Sequence, residues 1–394
     1  MSVNAPLAGI RVLEFTHAVM GPAAGLMLAQ LGAEVIHIEP PHGDSTRRLK
    51  GFGTGYFPFY ARQKQSLAVD LKSPEGLEVI YRLVRESDVV VENFGPGTMD
   101  RLGLGDAHLK SLNPALIYCS LKGFLSGPYE QRTAMDEVVQ MMGGLAYMTG
   151  PPGQPLRAGT SVIDIGGGMF GVMGILAALF ERQKTGQGQT VKSALFETTA
   201  FFMGQHMAYS ALTEGPIPPM PARVSAWSIY RVFQTQDNPI FIGIISDKQW
   251  VRFCEALDRS DWATDERLTT NGQRIDEREW LIPAVEEHLA QYTQAEIIER
   301  VEPLGIPFSP IARPEDLFED PHLNQSGGLS EVELKPDVVA KLPNLPLEIE
   351  GERFGAPDSA PALGADSLEI LQRLGYQDAD IEELIKQNIV ACSQ

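Results

Sequence analysis

Residues 9–39 constrain the fold of this chain more than any other stretch. GIRVLEF at 9–15 reads as a strand, with Val12, Leu13 and Phe15 apolar. A loop at 16–22 leads into a helix-forming run at 23–31, and AEVIHI at 33–38 reads as a second strand ending at Glu39. This is a βαβ unit, whose helical crossover makes the two strands parallel. Strand-like runs recur at 66–69, 89–91 and 116–120, with helical patterns between them at 74–85 and 107–112. The alternation predicts an α/β fold, a mostly parallel sheet covered by helices.

The later half changes character. Residues 164–184 read as a loop turning into a long apolar helix, followed by the turn TGQG at 185–188 and a strand at 189–194. A proline cluster at 215–221 has linker composition. Beyond it, a strand at 240–245 and amphipathic helices at 248–257 and 280–292 suggest a smaller α+β domain. A second Pro- and Asp-rich stretch at 310–321 marks the return, and 367–387 carries two helical segments broken at 374–378. A chain of 394 residues is too long for one ordinary core, and the expected division is 1–214, 215–325 and 326–394.

Composition narrows the function classes. Lys and Arg number 32 against 51 Asp and Glu, a net charge of −19. Such a surface repels phosphate backbones and anionic membranes, so nucleic-acid and membrane partners are not expected. Three cysteines are too few for a disulfide framework or a four-thiolate zinc site, and Cys119 lies in an apolar run as a small core residue. The N-terminal MSVNAPLAGIRVLEF has no secretory pattern. The most apolar stretch, 169–180, is shorter than a membrane span. A cytoplasmic protein is expected.

A strand–loop–helix–strand ending in an acid is how a dinucleotide site begins, with Glu39 placed for a ribose hydroxyl. The glycines do not fit, because only Gly21 and Gly25 lie between Phe15 and Gln30 and no G-x-G-x-x-G exists. No Walker A, zinc-type spacing or G-x-S-x-G elbow is present. The most unusual stretch is GTSVIDIGGGM at 159–169. Asp164 there is either a cap for the following helix or a carboxylate held and aimed at a helix N-terminus, and the two roles are compatible. The amides of Gly166, Gly167 and Gly168 are candidates to stabilise an oxyanion. Asp136, in TAMDEVVQ at 133–140, is a first-turn helix charge or a second functional acid. Arg47, Arg48, Arg62 and Lys64 form the densest positive region. NFGPG at 93–97 follows a strand directly, where α/β sheets bind ligands, and is equally well a plain turn.

These residues together resemble the class III CoA-transferases, the group of formyl-CoA transferase and carnitine CoA-transferase, which includes the alpha-methylacyl-CoA racemases. The resemblance runs nearly end to end, through LAGIRVLEF at 7–15, Gly21-Pro22, LGAEVIHIE at 31–39, GDSTR at 43–47, VENFGPG at 91–97, SLKGF at 120–124, AAL at 177–179, KTGQGQ at 184–189, LG at 363–364 and LGY at 374–376. It implies a Rossmann-like large domain built from both chain ends, a smaller domain from the later middle, and ring-shaped subunits interlocked as a homodimer. It implies Asp164 as the catalytic nucleophile on acyl-CoA, with a small carboxylic acid as the second substrate and no tightly bound cofactor or metal. CoA-contacting positions map onto His17, Ala18, Val19, Val69, Lys72, Asn93, Phe94, Arg101, Thr133, Met135 and Asp136. Arg101 is the best single candidate for a CoA phosphate, with Arg47 or Lys72 expected to supply part of the adenosine-phosphate contact.

Three positions depart from the family. A basic residue often found after the second strand is Pro40, the active-site tyrosine is Met135, and the four-glycine loop of formyl-CoA transferase has no counterpart between 225 and 250. The racemases place a histidine immediately before the acid at the Asp136 position; Met135 cannot move a proton, which favours transfer over epimerisation. Arg47, Arg62, Arg132, Arg157 and Arg223 are candidate partners for a dicarboxylate, with succinyl-CoA as the expected donor.

Overall fold

The computed structural model describes residues 5–213, 215–223, 225–355 and 357–393. It divides into two compact units, Met1–Pro221 with Asp320–Gln394, and Ala222–Glu319. The crossings therefore fall at Pro221/Ala222, where the proline cluster ends, and at Glu319/Asp320.

In the first unit the chain runs β1 (Arg11–Phe15), α1 (Met20–Gln30), β2 (Glu34–Glu39), α2 (Tyr56–Tyr60), β3 (Gln65–Val69), α3 (Pro74–Arg85) and β4 (Val89–Glu92). It continues through α4 (Thr98–Arg101), α5 (Asp106–Leu112), β5 (Ile117–Lys122), α6 (Asp136–Met142), α7 (Leu145–Thr149), α8 (Val162–Thr185), β6 (Thr190–Ala194) and α9 (Leu195–Thr213). Successive strand residues point to opposite faces. Val12, Val35, Val91 and Ile117 join a core with Leu28 of α1 and Ile175 of α8. Leu13, Phe15, Ile36 and Leu67 join the other, with Ile80 and Leu83 of α3. Both faces are covered, which is why adjacent residues such as Val12 and Leu13, or Val35 and Ile36, are apolar in succession rather than alternating with exposed polar ones.

The second unit has its own core around Phe233, Ile242, Trp250, Phe253, Leu281 and Val285. Three antiparallel strands, β7 (Tyr230–Phe233), β8 (Ile240–Gly243) and β9 (Phe308–Pro310), accompany helices α10 (Asp247–Ala256), α11 (Ser260–Thr264), α12 (Asn271–Asp276), α13 (Arg278–Leu289) and α14 (Gln294–Val301). The return adds α15 (Pro321–Gln325) and two hairpins, β10 (Leu329–Lys335) with β11 (Val338–Pro343) and β12 (Leu345–Ile349) with β13 (Glu352–Phe354). Then come α16 (Ser367–Arg373), α17 (Asp378–Lys386) and β14 (Val390–Ala391).

The central sheet has the order β14-β3-β2-β1-β4-β5-β6, all parallel except β14, which runs antiparallel to β3 and closes that edge. The C-terminal segment is pinned there by hydrogen bonds from Ser66 N to Asp366 Oδ2 (2.7 Å) and Ala68 N to Ser367 Oγ (3.2 Å). The strand sequence moves outward from β1 in one direction and from β4 in the other. Beyond the C-terminal ends of β1 and β4 lies a topological switch point, the crevice where open α/β sheets bind ligands.

Helix α8 corrects one sequence expectation. The long helix expected within 164–184 is already helical from Val162, so no loop immediately precedes Gly166–Gly168, and over its 24 residues it is by length and composition long and apolar enough to cross a membrane, which the 169–180 stretch alone is not. Half of its most apolar window is buried within the protein. The glycines, expected to be a poor helix start, lie inside it. A Cβ at Gly167 would meet the Met20 side chain, one at Gly171 would meet Leu121 and one at Gly174 would meet Val191. Bare glycine backbone therefore lets α8 lie close on α1, β5 and β6, so the usual helix penalty is offset by packing. The helix ends at Gly186, whose φ of 69° is the left-handed C-terminal stop.

Candidate active site

A cavity of about 540 Å³ opens at the switch point. The loop after β1 contributes His17, Ala18 and Val19, the loop after β4 contributes Asn93 and Phe94, and the segment before α6 contributes Thr133, Met135 and Asp136. Asp164, in the first turn of α8, lines the same space. These nine residues, all singled out from the sequence, thus meet in one cavity, and Arg132 and Arg157 join them. The two loops are stitched together: His17 N donates to Asn93 Oδ1 (3.0 Å), Asn93 Nδ2 donates to the His17 carbonyl (2.8 Å), and the His17 and Phe94 rings stack at 5.7 Å. Between them Ala18 adopts φ 61°, a left-handed conformation that costs a non-glycine residue about 1 kcal/mol.

Asp136 and Asp164 divide the roles that the sequence left open. The buried Asp136 carboxylate accepts from the amides of Ile163 (2.9 Å) and Asp164 (3.1 Å), and from Gln140 Nε2. The remaining first-turn amides of α8 are used by Thr160 O, from Val162 N, and by Ser161 O, from Ile165 N. Asp136 is therefore the cap of α8, supplied from another helix, and Asp164 is not. Among the described residues nothing hydrogen-bonds the Asp164 carboxylate, which is half-buried and faces the cavity. Burial pushes its pKa up, the Asp136 carboxylate beside it pushes further, and Arg157 partly offsets both, leaving it at about 7. Arg157 itself is bound to Glu137 (2.6 Å) and lies 3.6 Å from Asp136.

Under the β1–α1 loop sits a buried ionic cluster. Lys64 Nζ donates to Glu14 Oε1 (2.7 Å), Glu14 Oε2 (3.0 Å) and the Pro22 carbonyl (2.9 Å). His37 Nδ1 is 2.9 Å from Glu14 Oε2, and its Nε2 is 3.6 Å from Asp44. Burial opposes charge on His37, but the two carboxylates outweigh it and push His37 up to about 9. Burial likewise opposes charge on Asp44, yet His37 and Thr46 hold it down at about 2. The alternating charges tie β1, β2 and the segment before β3 together, and Lys64 ties them to the first turn of α1.

Several expected ligand residues are placed elsewhere. Arg47 does not face the cavity: its fork grips Glu39 at 2.8 and 2.6 Å, its remaining nitrogen donates to the Pro361 carbonyl (3.0 Å), and it covers the Phe57 ring at 3.9 Å. This also corrects Glu39, which is buried and held by Arg47, Ser66 and the Asp44 amide rather than left for a ribose. The amides of Gly166, Gly167 and Gly168 are inside α8, past its first turn, where they serve the helix ladder. They are not oxyanion donors; these glycines exist for packing. Val69 is a buried strand residue paired with Val390. Lys72 is exposed on the turn after β3, and Arg101 is exposed on α4, donating to Thr98 Oγ1 (2.8 Å); neither lines the cavity.

The sequence reading passed over Tyr56, Tyr60, Glu92 and Lys122. Tyr56 lines the cavity, and Tyr60 is close enough to feel Asp164, its hydroxyl pushed to about 12 by burial first and then by that carboxylate. The signal available was the aromatic run YFPFY at 56–60. Glu92 holds the binding loop: it accepts from Phe94 N (3.0 Å), Ser120 Oγ and Lys122 Nζ (2.7 Å), and Lys122 also donates to the Phe94 carbonyl (2.6 Å).

The chain belongs to CoA-transferase family III, whose model matches residues 7–367. It is similar to the succinate–glutarate CoA-transferase of Agrobacterium fabrum, with 33% identity covering 94% of this chain and 96% of that protein. It is also similar to the acetyl-CoA:oxalate CoA-transferase of Acetobacter aceti, with 35% identity covering 89% and 92%. Among solved structures, a CaiB/BaiF family protein from Brucella suis superposes with a TM-score of 0.84 at 32% identity, covering 94% of this chain and all of that one. The mixed α/β fold with its parallel-dominated sheet is shared with that neighbour. The protein is thus an enzyme that transfers CoA between an acyl-CoA and a carboxylic acid.

Proposed function

We propose that Asp164 is the nucleophile of this transfer. One observation carries the reading: a carboxylate without a hydrogen-bond partner among the described residues faces a cavity beside a helix N-terminus whose amides are occupied by a different acid. An ionised Asp164 attacks the thioester carbonyl, the C–S bond breaks, and CoA leaves as the thiolate, giving a mixed anhydride. The thiolate then attacks the aspartyl carbonyl, releasing the donor acid as carboxylate and leaving an aspartyl-CoA thioester. The acceptor carboxylate attacks that thioester and the two steps run in reverse, restoring Asp164 and forming the new acyl-CoA. Each step exchanges one anion for another, so charge balances without an added acid. CoA would reach the cavity along the loops that carry His17, Ala18, Val19, Asn93, Phe94 and Thr133, with Arg101 and Lys72 available outside the cavity for its phosphates.

The donor is succinyl-CoA and the acceptor a small dicarboxylate; the Agrobacterium relative is named for succinate and glutarate, and the Acetobacter relative for acetyl-CoA and oxalate. Epimerisation is disfavoured because Met135 has no acid or base group to transfer a proton and Asp136 is bound to two backbone amides. The working form is a homodimer, interlocked in the manner of the family. Its support here is an apolar stripe left exposed on α8 (Met169, Met173, Phe180) and α9 (Phe201, Met207, Leu212). The cytoplasm suits its thiols, since Cys119, Cys254 and Cys392 are all free. The deciding experiment incubates wild type and Asp164→Ala with acyl-CoA donors and free acids in heavy water, read by mass spectrometry. New acyl-CoA products that vanish in the variant are expected. Deuterium at the alpha carbon without acyl exchange would instead establish the epimerase.

A further inference from the structure

The cavity's positive charges are not equally available. Lys122 is paired with Glu92 at 2.7 Å, and Arg157 with Glu137 at 2.6 Å. Of the other arginines considered for a carboxylate, Arg47 is held by Glu39. Arg62 is fully buried, donating to the Phe59 and Pro343 carbonyls at 3.0 and 2.9 Å. Arg132 differs from these four. It lines the cavity with Asp164, it is exposed, and among the described residues no carboxylate pairs with it. The nearby acid Glu130 lies 3.6 Å from Lys192 instead. The Arg132 guanidinium lies over the Tyr129 ring at 4.8 Å and the Phe124 ring at 5.9 Å, and those two rings pack edge-on at 5.6 Å. Stacking on aromatic faces restricts the side chain while leaving its fork of donors unsatisfied, a geometry suited to a planar carboxylate.

We infer that Arg132 receives the distal carboxylate of the dicarboxylic substrate, and that this one residue reads both the donor acyl group and the acceptor. The inference rests on the proposed role of Asp164. Donor and acceptor carbonyls must each pass through the same position beside that carboxylate, so their far ends reach the same wall of the cavity. The cavity also carries Glu130, Asp136, Glu137 and Asp164, so a second substrate carboxylate is repelled unless an unpaired cation meets it. The phosphates of CoA are set apart from the reacting carbonyl by the pantetheine arm, which is why the acyl end is assigned to Arg132.

The test compares wild type, Arg132→Gln and Arg132→Lys in steady-state transfer. Succinyl-CoA and propionyl-CoA serve as donors, with glutarate and butyrate as acceptors. In Arg132→Gln, kcat/KM for succinyl-CoA and for glutarate should each fall about ten- to a hundredfold, the worth of a charge-assisted bidentate contact. Rates with propionyl-CoA and butyrate should stay within twofold, and Arg132→Lys should recover part of the loss. An equal rise in KM for both donors would overturn the inference and assign Arg132 to a CoA phosphate. An unchanged ratio of dicarboxylate to monocarboxylate would overturn it as well. Failure of the Asp164 reading looks different: transfer would persist in Asp164→Ala whatever residue 132 is.

Discussion

Replacing Asp164 by Asn should make the protein more stable and inactive at once. The carboxylate's pKa rises from 3.8 to about 7 on folding, with burial the leading cause and Asp136 the second. A carboxylate raised in this way binds its proton more tightly in the folded state. Stability therefore declines as pH rises through the interval between the two values, and the whole penalty is present above about pH 7. Three pKa units at about 1.4 kcal/mol each give a ceiling of about 4 kcal/mol. At pH 5 the same linkage leaves about 2 kcal/mol. Asn keeps the volume and drops the charge, so Asp164→Asn should gain up to that amount at pH 8 and roughly half at pH 5. For a unit of this size each kcal/mol moves the melting temperature by about 2 °C. Thermal unfolding of both proteins at pH 5 and pH 8, at one scan rate, reads the difference directly. A variant whose advantage is the same at both pH values, or which is less stable at pH 8, would refute a raised, desolvated carboxylate at this position.

Further expectations follow from the same geometry. Because Asp164 must be ionised to attack, kcat/KM should fall tenfold per unit below about pH 7 and level off above it. Arg157→Gln removes the charge that offsets burial and should move that limb upward; a limb near pH 4 in the wild type would count against the assignment. Gly25→Ala should cost about 3–5 kcal/mol in denaturant unfolding, since a Cβ there overlaps the Glu14 carboxylate and separates it from Lys64. A change below about 1 kcal/mol would mean that the cluster relaxes. Phe180→Glu, on the exposed stripe of α8, should shift the protein from dimer to monomer in sedimentation at micromolar concentration; an unmoved sedimentation coefficient would place the interface elsewhere.

The limits of the sequence are visible in particular residues. The parallel strands were legible because both faces are buried, so Val12 and Leu13, and Val35 and Ile36, are apolar in succession, as a strand covered on both faces requires. Helix α3 was legible over its full length, with Ser73 capping Gly76 N and Pro74 at the first turn. The hairpins β10–β13 were not, because most of their residues are exposed and their pattern is weak. Strand β14 is two residues long and exists only through its pairing with β3. At the candidate site, local context singled out Asp164 and Asp136 but could not say which caps the helix, because the partners lie 27 and 28 residues apart. The arginines divided in the same way. Arg47 and Arg132 look alike in a string of letters, and only the folded chain gives one a buried glutamate and leaves the other over two aromatic rings.

By itself, then, the amino-acid order determined the βαβ frame, the family and the cluster of loops at the sheet's C-terminal edge. Those features depend on periodicity and on short motifs, which neighbours along the chain supply. Tertiary structure decided which charges are spent and which remain free. Whether a carboxylate or guanidinium has a partner depends on groups brought within a few ångströms from distant positions, and no local pattern carries that distance.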